Sequence, residues 1–273
     1  MARARICRRL RSVRARLNPF GGGYPSRGAE ASRDRRFSVP SAAPSTASCY
    51  GCVRSSRLTL RDVPNTSEPL SIGVASAARA GRCALTFDDG PDVVWTPRLL
   101  DVLLATGAVA TFFVMADRAS EAPHVIERMR AEGHDIEFHC LRHVRHSALS
   151  HAAVHRDTVR GLAILAELGV TARRWRPPWG DVTQATRAVA ADHALEIVLW
   201  SVDSEDWDGA RAAVLHERVI QRLSEDAVVL MHDGVGPGAR RADCRETIDL
   251  ITPLLEAMNE RRLRPMTLTE LRA

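Results

Sequence analysis

From about residue 80 onward, short apolar runs alternate with longer amphipathic stretches. The runs RCALTF (82–87), VATFFVM (109–115), HDIEF (134–138), ARRWR (172–176), LEIVLWSV (195–202), DAVVLM (226–231) and LRPMTL (263–268) read as strands. Helical segments are expected near 95–105, 121–132, 151–168, 183–193, 211–223 and 243–260. Seven strands alternating with helices predict a parallel sheet, either closed into a barrel or opened into a doubly wound layer. Neither GxGxxG nor GxxxxGK[ST] follows the first run, which disfavours the nucleotide-binding open sheets. The polar residues favour the barrel. Asp88 and Asp89 follow the first run, His139 the third, Asp203 and Asp206 the fifth, while Arg176 and His232 lie at the ends of the fourth and sixth. A barrel collects those ends on one face, where barrel enzymes keep their chemistry. The region is short for eight full repeats, so a distorted (β/α) barrel of about seven parallel strands over residues 80–273 is expected.

The first 75 residues do not share this pattern. They are rich in Arg, Pro, Ser and Gly with little apolar periodicity, the composition of a low-order tail. The chain's net charge of +5 is split unevenly. Residues 1–70 carry 14 arginines against 4 acids, so the rest of the chain is acidic by 5 charges and the basic character belongs to the tail. Such a charge run is more often solvated than bound to nucleic acid or lipid, and no nucleic-acid partner is expected. No uninterrupted apolar stretch follows the first arginines, so no secretory leader is legible and localisation stays open. No stretch reaches the length a membrane-spanning helix needs. Six cysteines at irregular spacing give no disulfide framework, and Cys49 and Cys52 form a lone CxxC, weak evidence for metal or redox chemistry.

The doublet Asp88–Asp89 raises a physical question, because adjacent carboxylates resist joint ionisation unless a cation or a division of roles offsets the repulsion. Successive side chains leaving a strand point in different directions, so the two can serve different purposes. In HCLRH, His139 and His143 have the i, i+4 spacing that lets two imidazoles grip one first-row ion. One carboxylate of the doublet would complete a three-ligand site and leave the other free as a base. His151 and His155 share the spacing but fall inside the next helix, where a solvated face is the simpler reading.

TFDDGP (86–91), HCLRH (139–143), RPPWG (176–180), DSEDW (203–207) and LMH (230–232) resemble, in order, the five motifs of the NodB-homology polysaccharide deacetylases, carbohydrate esterase family four. The resemblance covers roughly residues 80–273, including a closing MTLTEL, and leaves the tail without a counterpart. It implies that Asp89, His139 and His143 bind a divalent metal, usually zinc, with Co²⁺ or another first-row ion possible. It also implies Asp88 as general base partnered by Arg176, and His232 as general acid oriented by Asp206, with Asp203 the second choice. Trp179 would give a backbone N–H to the oxyanion and a wall to the groove, Trp207 another wall, and Leu230 the lining of the acetyl pocket. The implied activity is removal of N-acetyl groups from an amino sugar or its polymer, of chitin-oligomer or peptidoglycan type, by a monomer.

Cys140 stands where the family usually has Ser or Thr, and Glu137 and Phe138 where small or amide residues are frequent. A thiol bonds more weakly and can compete for metal, so these changes bear on the surroundings of the ligands. Each feature alone has a plainer reading: DDGP as an acidic turn, Arg176 as a surface residue, the tryptophans and His232 as core. Three rivals follow: a same-fold hydrolase of another amide such as a sugar deformylase, a carbohydrate-binding pseudoenzyme, and a nucleic-acid binder driven by the arm.

Overall fold

The computed structural model describes residues 80–273. The basic tail, Cys49 and Cys52 lie outside the described residues. The elements run β1 (Gly81–Asp88), α1 (Trp95–Thr106), β2 (Thr111–Met115), α2 (Ala116–Glu121), α3 (Pro123–Ala131), β3 (Asp135–Cys140), α4 (His151–Glu167), β4 (Arg174–Trp175), α5 (Gln184–Asp192), β5 (Glu196–Ile197), β6 (Val202–Asp203), α6 (Ala212–Arg222), β7 (Val228–His232), α7 (Arg245–Glu260), β8 (Leu263–Met266) and α8 (Leu268–Leu271). Short 3₁₀ turns occupy His146–Ala148, Pro178–Gly180 and Asp206–Asp208. Every strand pair is parallel, in the order β5-β4-β3-β2-β1-β7-β6, with β8 beside the first half of β1 and β7 beside the second. The sheet curls into the distorted barrel that the pattern predicts.

Two expected elements differ. The run 195–202 breaks into β5 and β6, and the barrel hands over between them. The Val198 N–H donates to the Trp175 carbonyl at 3.0 Å, on the β4 side, whereas the Ser201 N–H donates to the Val228 carbonyl at 3.0 Å, on the β7 side. Between those bonds the Val198 and Leu199 carbonyls have no strand to pair with. Buried Arg176 satisfies them, Nε donating to Val198 and Nη2 to Leu199, both at 3.2 Å. The helix expected at 121–132 is α3, and a short helix the pattern does not predict, α2, precedes it and stops at Glu121, because Pro123 has no N–H to continue a preceding turn and instead starts α3.

Side-chain alternation sorts the barrel. Cys83, Leu85 and Phe87 of β1 face the helical layer and join the main core with Phe112, Val114, Phe138, Val229 and Met231. The opposite face of the same strands grades from apolar to charged along its length. Ala84, Phe113 and Val198 form a small inner plug closed from below by Leu268 and Leu271 of α8. Above the plug come Thr86 and Arg176, the guanidinium carbon 4.1 Å over the Phe113 ring. Asp88, His139, Leu230 and His232 then emerge on the upper rim, set there by the two-residue period.

Glu137 is buried and ties β3 to the next strand. Its Oε2 accepts the Arg173 and Arg174 N–H groups and its Oε1 the Arg174 guanidinium, all at 2.8 Å. Burial raises its pKa, and those donors oppose the rise. Phe138 packs so close to α4 that a Cβ on Gly161 would lie 2.5 Å from its ring, which is why the helix has no side chain there.

Candidate active site

A cavity of ≈ 450 Å³ opens at the C-terminal rim of the strands. Asp88, Asp89, His139, His143 and His232 line its floor, with Trp179, Trp207 and Leu230 on its walls. Arg176 and Asp206 lie beneath, fully buried against the residues they contact.

The doublet divides because Asp89 takes a left-handed backbone, with φ of 72°. That conformation is uncommon for a residue bearing a Cβ, but Asp tolerates it better than most. Asp88 continues the strand direction and meets Arg176, Oδ1 to Nη1 at 2.8 Å. Asp89 turns aside, and its Oδ1 faces His139 Nε2 at 3.3 Å and His143 Nε2 at 3.2 Å.

This arrangement fits a cation. The His139 Nδ1 lies 2.6 Å from the Arg176 carbonyl, so Nδ1 carries the proton and Nε2 presents a lone pair. A buried lone pair aimed at a carboxylate oxygen is repulsive unless a positive charge lies between them. Both His139 Nε2 and Asp89 Oδ1 are buried without a hydrogen-bond partner, a costly state among polar atoms. One donor atom from each of Asp89, His139 and His143 lies within 4.8 Å of the others. Burial alone would raise the Asp89 carboxyl, and it is positive charge on the side of the two imidazoles that holds it well below the usual carboxylate range, a requirement an ion held there would equally meet. One oxygen and two imidazole nitrogens form a donor set suited to zinc or a neighbouring first-row ion. Cys140 is buried and outside this group, with a thiol that burial pushes well up.

Also on the floor, the His232 Nδ1 contacts Asp206 Oδ1 at 2.7 Å, and the His232 backbone N–H donates to Asp206 Oδ2 at 2.9 Å. Asp203 instead accepts the Glu205 N–H at 2.8 Å and makes no bond to the imidazole. Burial works against the charged imidazole, but the Asp206 carboxylate outweighs it and raises His232 to about 9. Burial likewise disfavours ionised Asp206, which His232 and Arg241 nonetheless bring to about 2. Imidazolium and carboxylate therefore coexist across neutral pH. Relative to ordinary values of 6.5 and 3.8, the histidine's contribution to stability is full below about 6.5 and fades as pH rises through 9, and the aspartate's fades as pH falls through 2. An Asp206→Asn variant removes the charge but keeps most of the shape. Its His232 should titrate about 2 pH units lower, followed by ring NMR, and the high-pH limb of any His232-dependent activity should move down with it.

The other tryptophan-rich wall is partly exposed. Trp179 has a left-handed backbone (φ 54°), packs edge-on to His143 at 4.1 Å and supports the Arg145 guanidinium at 4.5 Å. Arg145, Trp200 and Arg241 also line the cavity and were not singled out by the motifs. Nothing in their local sequence marks them: Arg241 sits beside Arg240 in a loop without periodicity, ahead of α7. His151 and His155 stay on α4 away from the cavity, and His155 packs against His193 at 5.4 Å between ring centres. His146 is buried beside Thr186 at 2.9 Å, and burial lowers it to about 4.

Comparison with known proteins identifies relatives of the chain. Residues 76–198 match the profile of the polysaccharide deacetylase family. A peptidoglycan-N-acetylglucosamine deacetylase of Bacillus cereus is 32% identical over 179 residues, covering 65% of this chain and 64% of the relative. A chitooligosaccharide deacetylase of Bradyrhizobium is 35% identical over 184 residues, covering 65% of this chain and 84% of the relative. Among solved structures, a peptidoglycan N-acetylglucosamine deacetylase in complex with a 4-naphthalen-1-yl-N-oxidanyl-benzamide superposes with a TM-score of 0.65 and 29% identity, over 70% of this chain and 87% of the other. A family 4 carbohydrate esterase from Streptomyces lividans in complex with acetate gives 0.63 and 28%, over 69% and 93%.

Proposed function

The chain belongs to the NodB-homology polysaccharide deacetylase family, and from that premise we propose that it hydrolyses the N-acetyl group of an amino sugar within a glycan, using a divalent ion, zinc first among candidates, held by Asp89, His139 and His143. The observation that carries the reading is the pair of orphaned buried atoms, His139 Nε2 and Asp89 Oδ1, facing each other at 3.3 Å. Such an ion, when bound, supplies Lewis acidity toward an amide oxygen and brings the pKa of water down to about 7.

The chain's own groups do the rest. Asp88 takes a proton from the attacking water. The Arg176 guanidinium at 2.8 Å keeps that carboxylate oriented. Burial lowers the guanidinium's own pKa, and Asp88 opposes the shift. The Asp206 carboxylate occupies His232 Nδ1, which leaves Nε2 to hand a proton to the departing amine. The backbone N–H of Trp179, turned by its left-handed conformation, is assigned to the developing oxyanion. Leu230 gives the cavity an apolar lining suited to the acetyl methyl group, and the partly exposed Trp179 and Trp207 offer flat apolar faces to a sugar ring. The relatives act on peptidoglycan and chitooligosaccharide by name, and an N-acetylglucosamine-containing glycan is the shared chemistry.

Acetate release should be measured on chitin oligomers, peptidoglycan and small N-acetylated sugars, before and after chelation and after zinc is restored. Turnover on at least one class is expected, lost on chelation and recovered with zinc. Full activity in the chelated protein would contradict ion dependence, and absence of acetate from every class would contradict the deacetylase reading.

A further inference from the structure

We propose that Arg241 is a positioning residue for the proton donor, locking the Asp206 carboxylate against His232 and setting the acidity of that imidazole. The inference rests on the reading of His232 as the acid of the reaction. Arg241 Nη1 donates to Asp206 Oδ2 at 2.9 Å and to the Thr247 hydroxyl, which itself donates to the same oxygen at 2.6 Å. Its Nη2 donates to the carbonyls of His232 at 3.1 Å and Gly234 at 3.0 Å. One guanidinium thus grips the acid's carboxylate, the acid's own backbone and the loop that leaves it.

The loop matters because it passes over the candidate metal ligand. A Cβ on Gly236 would lie 2.0 Å from Asp89 Oδ2, so the backbone runs there at a distance only glycine allows. Pinning Gly234 and residue 241 therefore holds the roof of the cavity as well as its proton donor.

The charge pattern gives Arg241 a second effect. Asp206, Asp89 and Asp88 each strengthen the hold of His232 on its proton, and Asp203 is close enough to feel the imidazole's charge. An imidazolium held too firmly is a poor acid. Arg241 is the cation on the far side of Asp206. It draws on the same carboxylate and weakens its pull on the imidazolium, much as a like charge nearby would. Neutral hydrogen bonds to Asp206 would hold the carboxylate in place but would not supply this opposing charge.

The test is Arg241→Gln and Arg241→Lys in the zinc-loaded protein, read by kcat against pH and by NMR titration of the His232 ring. Arg241→Gln should lower kcat about tenfold with little change in KM, and should move the His232 titration and the high-pH limb upward by roughly 0.5 to 1 pH unit. Arg241→Lys should bring the limb back toward wild type while retaining part of the kcat loss, because a point charge cannot reproduce the fork. Thr247→Val, a milder change, should move the titration in the same direction by less. A uniform loss of amplitude with an unmoved titration would reduce Arg241 to a structural prop and overturn the proposal, as would a downward shift. The NMR arm needs no turnover. A rise in His232 pKa in a protein that releases no acetate would uphold the network and sink the deacetylase reading instead.

Discussion

Asp88→Asn should cut acetate release by about 10³-fold while leaving the ion bound. The amide keeps the size of the carboxylate and can still accept the Arg176 hydrogen bond, now 2.8 Å from Oδ1, so the floor of the cavity keeps its shape. It cannot accept a proton from water. The substitution also removes the charge that balances a guanidinium buried to 0% exposure. Leaving such a charge unpaired costs about 3 kcal/mol, so the variant should melt earlier as well. The carbonyls of Val198 and Leu199 and the Thr86 hydroxyl still bond Arg176 and should keep the fold intact. Steady-state kinetics below the melting transition, with metal content measured on the same sample, separate the chemical loss from the structural one. An Asp88→Asn protein with near wild-type turnover would remove Asp88 from the base role.

His139→Ala should act through the ion instead. Apparent zinc affinities of structural sites correspond to about 10–16 kcal/mol over four ligands, so one imidazole is worth about 3 kcal/mol, or on the order of 100-fold in affinity. At ordinary metal concentrations the protein then purifies largely empty and inactive. His139 makes one further contact, Nδ1 to the Arg176 carbonyl at 2.6 Å, and its loss loosens the start of the RPPWG turn. Excess zinc should recover part of the activity of His139→Ala but none of the activity of Asp88→Asn. That contrast distinguishes a ligand from a base.

The strand ends, and with them Asp88, Asp89, His139, Arg176 and His232, were legible because the barrel follows from strand–helix alternation and the motifs follow from chemistry. Asp89 could be told from Asp88 only by resemblance: its left-handed backbone, which aims the two carboxylates apart, leaves no mark in composition or period. The break between β5 and β6 was hidden for a related reason. LEIVLWSV is continuous in hydrophobicity, and what divides it is the exchange of hydrogen-bond partners from β4 to β7, a property of barrel closure. Glu137 looked like a departure near the ligands, yet it caps the Arg173 and Arg174 backbone on the strand next door. Arg241 was invisible for the plainest reason, since its meaning lies in Asp206, 35 residues earlier in the chain.

Zinc titration of the chelated protein by calorimetry, run on the wild type and on Asp89→Ala, His139→Ala and His143→Ala, tests the central claim most directly. One equivalent should bind the wild type tightly, and each alanine variant should bind on the order of 100-fold more weakly. Wild-type stoichiometry and affinity in all three variants would place the ion elsewhere and contradict the account.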